Sequence, residues 1–364
     1  MRQYNKKRYF KQSAYTLTLG STSVSAKVGG STHDMSLSSS YSGWTVSDNA
    51  SWISVSRTGT SSYKIVAAAN TNSSSRTGTV TVTSAGVKKT VTVSQPANSM
   101  TVTASSNSFA PGGGTNTITA KPLTGSTSYS TAATWLTVTK SGNTYTVKAA
   151  ANTTGKVRSG VVAITCGNIT KSVTFKQNPY TLTLGSSSAS AAAAGSNHTI
   201  SVSSNYSGWT VSDNASWMSV SKTGSYSFII SVTPNINGTS RSGSVTVEAP
   251  GVKKTFTVNQ AANSMTVTAS STSFAPGGGT NTITAKPLTG STSYSTSAAW
   301  LTVTKSGNTY TVKAASNTTG KARSGNVTIT CGNITKTVTF NQTAHVIKVD
   351  LNSIPAAATP LPLH

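Results

Sequence analysis

The sequence predicts an all-β chain: several small antiparallel sandwiches in tandem. Three observations carry this. Apolar residues alternate with Thr or Ser over short runs, as in Leu17 and Leu19, Ile53 and Val55, Val80 and Val82, and Val91 and Val93. That period of two puts one face inward and one toward solvent. Gly-rich breakers such as GVKK, SGNT and PGGG separate the runs, and no window carries a helical period. Finally, the chain repeats itself. YTLTLG, SGWTVSDNASW and SFAPGGGTNTITAKPLTGSTSYST each occur twice, shifted by 165 residues, so that Tyr15 maps to Tyr180, Trp44 to Trp209 and Trp135 to Trp300.

Each long unit divides again. SWISVSRTG around Trp52 matches TWLTVTKSG around Trp135, and TVTVSQ ending at Gln95 matches SVTFKQ ending at Gln177. The order is therefore A-B-A-B. The expected boundaries are a basic arm over 1–13, module A1 over 14–96, B1 over 97–178, A2 over 179–260, B2 over 261–343, and a tail over 344–364. Modules of this size suit small β-sandwiches.

Outside the modules the composition changes. The arm, MRQYNKKRYFKQ at its start, packs Arg2, Lys6, Lys7, Arg8 and Lys11 around Tyr9 and Phe10. No apolar run of export-signal length follows it, and none approaches the span of a membrane helix. At the other end, HVIKVDL alternates like one more strand before a proline-rich close that suits neither helix nor central strand.

The net charge is +24, from 29 Lys and Arg against 5 Asp and Glu. Such a field favours an acidic partner. Dedicated nucleic-acid recognition is not expected, because no basic helix, binding motif or dense basic patch appears in the body. Catalysis on sugars ordinarily needs two carboxylates at one site, and the B modules contain none. His33 and His198 are equivalent, but Asp34 beside the first becomes Thr199 beside the second; both histidines read as turn residues. No spacing suits zinc or calcium. PGGG lacks the Gly-Lys-Ser/Thr of a phosphate loop and reads as a wide turn. The expectation is no enzyme, no catalytic residue, no metal and no cofactor. Cys166 and Cys331 hold equivalent places in separate repeats and read as buried free thiols, as in a reducing compartment.

The recurrent order Trp, Asn-x5-Arg-x-Gly, closing Gln resembles the BACON domain. In this chain it reads Trp52, Asn70, Arg76, Gly78, Gln95; then Trp135, Asn152, Arg158, Gly160, Gln177; then Trp217, Asn235, Arg241, Gly243, Gln260; then Trp300, Asn317, Arg323, Gly325, Gln342. The resemblance implies four tandem immunoglobulin-like β-sandwich domains. It implies one of two settings: a virion protein of a crAss-like bacteriophage, or a secreted carbohydrate-binding array of a gut Bacteroidetes bacterium. The absent export signal favours the virion.

Because they recur with the fold signature, the four Trp are expected in the core and the Asn–Arg pairs in loop folding. Tyr41 and Tyr206 are the candidate glycan-stacking residues, with Tyr63 and Tyr226 as lesser ones. The expected role is an auxiliary, decoration-type protein on the virion surface, assembled in the host cytoplasm. Its expected partners are capsid or portal-vertex proteins, held by Arg2, Lys6, Lys7, Arg8, Tyr9, Phe10 and Lys11, with host or mucin glycans as a second class and no membrane insertion.

Overall fold

A computed structural model describes residues 12–345. The partner-anchoring residues of the arm and nearly all of HVIKVDL lie outside that range. The described residues form strands and turns without a helix. The chain divides between Tyr180 and Thr181 into two compact units, each with one A and one B module.

Module A1 has eight strands: β1 (Leu17–Leu19), β2 (Ser23–Ser25), β3 (Ser31–Ser39), β4 (Thr45–Asp48), β5 (Ile53–Arg57), β6 (Ser62–Ala67), β7 (Arg76–Ser84) and β8 (Val87–Gln95). They pair into two four-stranded sheets, ordered β1-β3-β6-β5 and β2-β8-β7-β4. All pairings are antiparallel except β2 with β8, which run parallel, Val24 beside Val93. The other modules repeat this plan. In B1 the strands are β9 (Met100–Ala104), β10 (Ser108–Phe109), β11 (Gly114–Pro122), β12 (Ser128–Ser130), β13 (Leu136–Ser141), β14 (Thr144–Ala149), β15 (Arg158–Cys166) and β16 (Ile169–Gln177).

The alternation places the core as expected. In β7 and β8, Val80, Val82, Val91 and Val93 are fully buried, while the Thr between them face outward or sit at intermediate depth. Burying such side chains stabilises the sandwich by about 1.5–3 kcal/mol each. Each module keeps its own core cluster. The glycine tripeptide forms a turn, with Gly113 at φ 92° bridged to Ala110. A side chain there would strike the carbonyl of Ala149, 2.3 Å from an added Cβ. Both cysteines are free and buried.

Two sequence expectations need correction. His33 is not in a turn but mid-strand in β3, its Nε2 2.9 Å from Ser31 Oγ; His198 repeats this against Ser196 at 2.8 Å. Tyr63, considered for the surface, is fully buried in β6. Its register opposite Met35 turns it inward.

Candidate functional site

The recurrent Trp, Asn, Arg and Gln converge at one place in every module. In A1, β7 begins with Arg76 and β8 ends with Gln95, and the two are paired in register. Arg76 Nε donates to Gln95 Oε1 at 2.7 Å, and Nη2 donates to the carbonyls of Ala68 and Ala69 at 2.8 and 3.0 Å. The guanidinium lies 4.4 Å from the ring centroid of Trp52. A planar fork over an aromatic face is an arrangement that Lys cannot reproduce.

Gln95, buried, donates from Nε2 to Lys27 O at 2.7 Å and Ala68 O at 2.9 Å. Asn70, also buried, donates from Nδ2 to Ser74 O and Pro96 O, both at 2.9 Å. Together these side chains tie β8, the β2–β3 connection and the β6–β7 loop into one knot. Gly78 completes it: an added Cβ would stand 2.4 Å from Ile53 Cδ1 and 3.2 Å from Trp52.

The knot recurs with nearly unchanged geometry. Arg158, Arg241 and Arg323 reach Gln177, Gln260 and Gln342 at 2.8, 2.7 and 2.8 Å, and lie 4.5, 4.6 and 4.5 Å from the centroids of Trp135, Trp217 and Trp300. Desolvation lowers the pKa of Arg76, Arg158 and Arg241 below the ordinary arginine value; they remain cations. The four Trp are half-buried at the rim of each core, roofed by Arg. The fully enclosed indoles are Trp44 and Trp209 instead. Trp44 donates from Nε1 to Thr60 O at 2.7 Å, and Arg57 lies 4.2 Å from its ring centroid.

The exposed aromatics are separate from this knot. Tyr41 is 40% exposed and meets Tyr15, 44% exposed, edge to face at 5.5 Å. Its own ring lies over Gly43, where a Cβ would come within 2.7 Å. Tyr206, the equivalent of Tyr41, is half-buried and packs on the A2 core. Tyr226 stands 74% exposed. Among the described residues, no three His, Cys, Asp or Glu gather where they could hold a metal. Two ion pairs among the described residues, Asp34–Lys64 at 3.9 Å and Glu248–Lys253 at 2.9 Å, are exposed and contribute little to stability.

Comparison with known proteins follows the module pattern. Residues 42–96, 124–178, 207–261 and 283–343 match the BACON family, described as "Putative binding domain, N-terminal". No curated protein matches the chain. Among solved structures, a three-immunoglobulin fragment of titin (domains I67-I69, E-to-A mutated variant) shares 8% identity at a TM-score of 0.38, covering 68% of this chain and 99% of that one. The N-terminal eight immunoglobulin domains of Down Syndrome Cell Adhesion Molecule share 8% at 0.30, covering 91% and 49%. A Bacteroides ovatus GH5 xyloglucanase in complex with a XXXG heptasaccharide shares 25% at 0.21, over 22% of this chain and 19% of that one.

Proposed function

The chain belongs to the BACON family, and from that premise we propose that it is a non-catalytic, structural protein of a tailed-bacteriophage virion. Tandem immunoglobulin-like BACON domains suggest a binding or structural role. The observation that carries the proposal is the knot. The Asn, Arg and Gln that recur in all four modules are spent on tying loops to strands, as Arg76 is on Gln95, Ala68, Ala69 and Trp52. The repeats then serve as scaffold, and attachment falls to segments that do not repeat.

The arm supplies that attachment. Arg2, Lys6, Lys7, Arg8 and Lys11 meet an acidic capsid or portal-vertex surface, and Tyr9 and Phe10 fill small pockets. Placement on the virion surface and the decoration role are part of this proposal; a charge of +24 supports an acidic partner. The Tyr15–Tyr41 pair supports a weak contact with host or mucin glycans, because exposed aromatic faces can stack on sugar rings. This favours some of the carbohydrate-binding reading within the virion one.

Sedimentation of purified phage particles tests the proposal. The protein is expected to travel with the particles after a high-speed pellet and gradient. Its recovery only in the secreted fraction of a bacterial culture would overturn the virion reading. On a glycan array, signal lost in both Tyr41→Ala and Tyr206→Ala is the expected result for stacking; signal unchanged in both removes these tyrosines as the contact.

A further inference from the structure

Within each unit the A and B modules meet through a joint that the recurrent motif does not predict. In the first unit its centre is Asn98, buried in the short link between β8 and β9. Asn98 donates its backbone N–H to Asn72 O at 2.8 Å, and from Nδ2 to Thr71 O at 3.3 Å and Thr124 O at 3.1 Å. Its Oδ1 accepts the N–H of Thr124 at 3.2 Å. One side chain thus bridges the β6–β7 loop of A1 to the β11–β12 loop of B1. A second bond spans the same gap: Ser73 N–H donates to Asn168 Oδ1 at 2.7 Å.

The fit is close. Gly167, at φ 58°, precedes Asn168 at the β15–β16 hairpin tip, and an added Cβ would stand 2.2 Å from Thr71 O. Beneath lies Cys166, 1% exposed, its Sγ 3.7 Å from Asn98 Nδ2 and donating to Thr124 O at 3.3 Å. The second unit repeats every part. Asn263 donates from its N–H to Asn237 O at 2.8 Å, and from Nδ2 to Ile236 O at 3.1 Å and Thr289 O at 3.0 Å. Gly238 N–H donates to Asn333 Oδ1 at 2.6 Å, Gly332 has φ 55°, and Cys331 lies under Asn263 at 3.5 Å.

The side chains that make these bonds belong to B modules alone. At the hairpin tip, A modules carry Ala85-Gly86 and Pro250-Gly251 in place of Gly-Asn. Where B1 has Asn98 and Thr124, A1 has Tyr15 and Tyr41. The bonds are therefore specified by module type, not inherited from the common fold.

We infer that A1–B1 and A2–B2 are each a locked two-module body, held by Asn98 or Asn263, whose joint closes over the thiol of Cys166 or Cys331. Buried amide bonds of this kind cost most when one partner is removed, because the other is left unsatisfied. The lock is independent of the virion reading. It makes the two-module pair, rather than the single module, the unit that responds to force or heat.

The chain carries its own reporters, one thiol per joint. The full-length protein is labelled under native conditions with an aromatic disulfide reagent, and each site is followed by peptide mass spectrometry. Asn98→Ala is expected to speed labelling of Cys166 by about tenfold, the size of one lost hydrogen bond, with Cys331 unchanged as the internal control. Asn168→Ala, at an exposed hairpin tip, is expected to act in the same direction while the intrinsic Trp emission of the chain stays native. Unchanged Cys166 labelling in both variants overturns the inference. So does acceleration that appears only together with loss of native intrinsic Trp emission, because the thiol would then report unfolding and not opening of the joint.

Discussion

Replacing Arg76 tests the knot most sharply. Arg76→Ala removes the bond to Gln95 Oε1 at 2.7 Å, two bonds to the carbonyls of Ala68 and Ala69, and the guanidinium 4.4 Å from the Trp52 centroid. Ala68 O keeps a donor in Gln95 Nε2 at 2.9 Å. Gln95 Oε1 is left buried without that partner, a cost of about 1–3 kcal/mol. The lost cation–π contact adds about 0.5–1 kcal/mol at a partly exposed site. The sum is about 3 kcal/mol against module A1. For a two-module unit that lowers the midpoint by roughly 9 °C, since about 1 kcal/mol moves it by 2–4 °C at 150–250 residues. Arg76→Lys keeps the charge but not the fork, and is expected to lose about 2 kcal/mol. Scanning calorimetry of the full chain should show one transition displaced downward and the rest in place. If the profile is unchanged while binding to a particle or glycan is lost, Arg76 is a ligand contact and the scaffold reasoning fails.

Three further outcomes follow from single residues. The Tyr63 hydroxyl is buried with no protein hydrogen-bond partner among the described residues, and the duplicate module carries Phe228 at that place; Tyr63→Phe is expected to raise stability by about 1 kcal/mol in denaturant titration. Burial also raises the Tyr63 pKa above its ordinary value of 10.0, so the folded state favours the neutral phenol. Its contribution is fully present below about pH 10 and is lost as pH rises through the raised value; A1 should therefore weaken in alkali, and Tyr63→Phe should remove that slope. Ala85 holds φ 47°, the one non-glycine positive φ among the described residues, so Ala85→Gly is expected to stabilise A1 by about 1 kcal/mol, measured by the same titration.

The repeat and the strand alternation were legible because each long strand shows one face to a core and one to water. In β14, Tyr145, Val147 and Ala149 point in while Thr144, Thr146 and Lys148 point out. The Asn–Arg knot was legible for a different reason: Arg beside loop carbonyls explains why the pair recurs with the fold. What stayed hidden depended on tertiary neighbours. The parallel pairing of β2 with β8 has no local signature, since SVS reads the same beside any strand. Tyr63 sits between Ser62 and Lys64, and only its register decides which face it takes. The roofing of the four Trp at the core rim required Arg to fold over them from another strand. Asn98, in QPANSM, reads only as part of a joint too short to leave much slack; its burial comes from two loops that approach from different modules.

Under the proposed function, attachment falls to the arm and scaffolding to the modules. The direct measurement is the amount of this protein in purified particles, full chain against a chain lacking residues 1–13, with module stability checked in parallel. Loss from the particle with an unchanged unfolding profile is the predicted result. Equal incorporation of the two chains would contradict the account and return the binding surface to the modules.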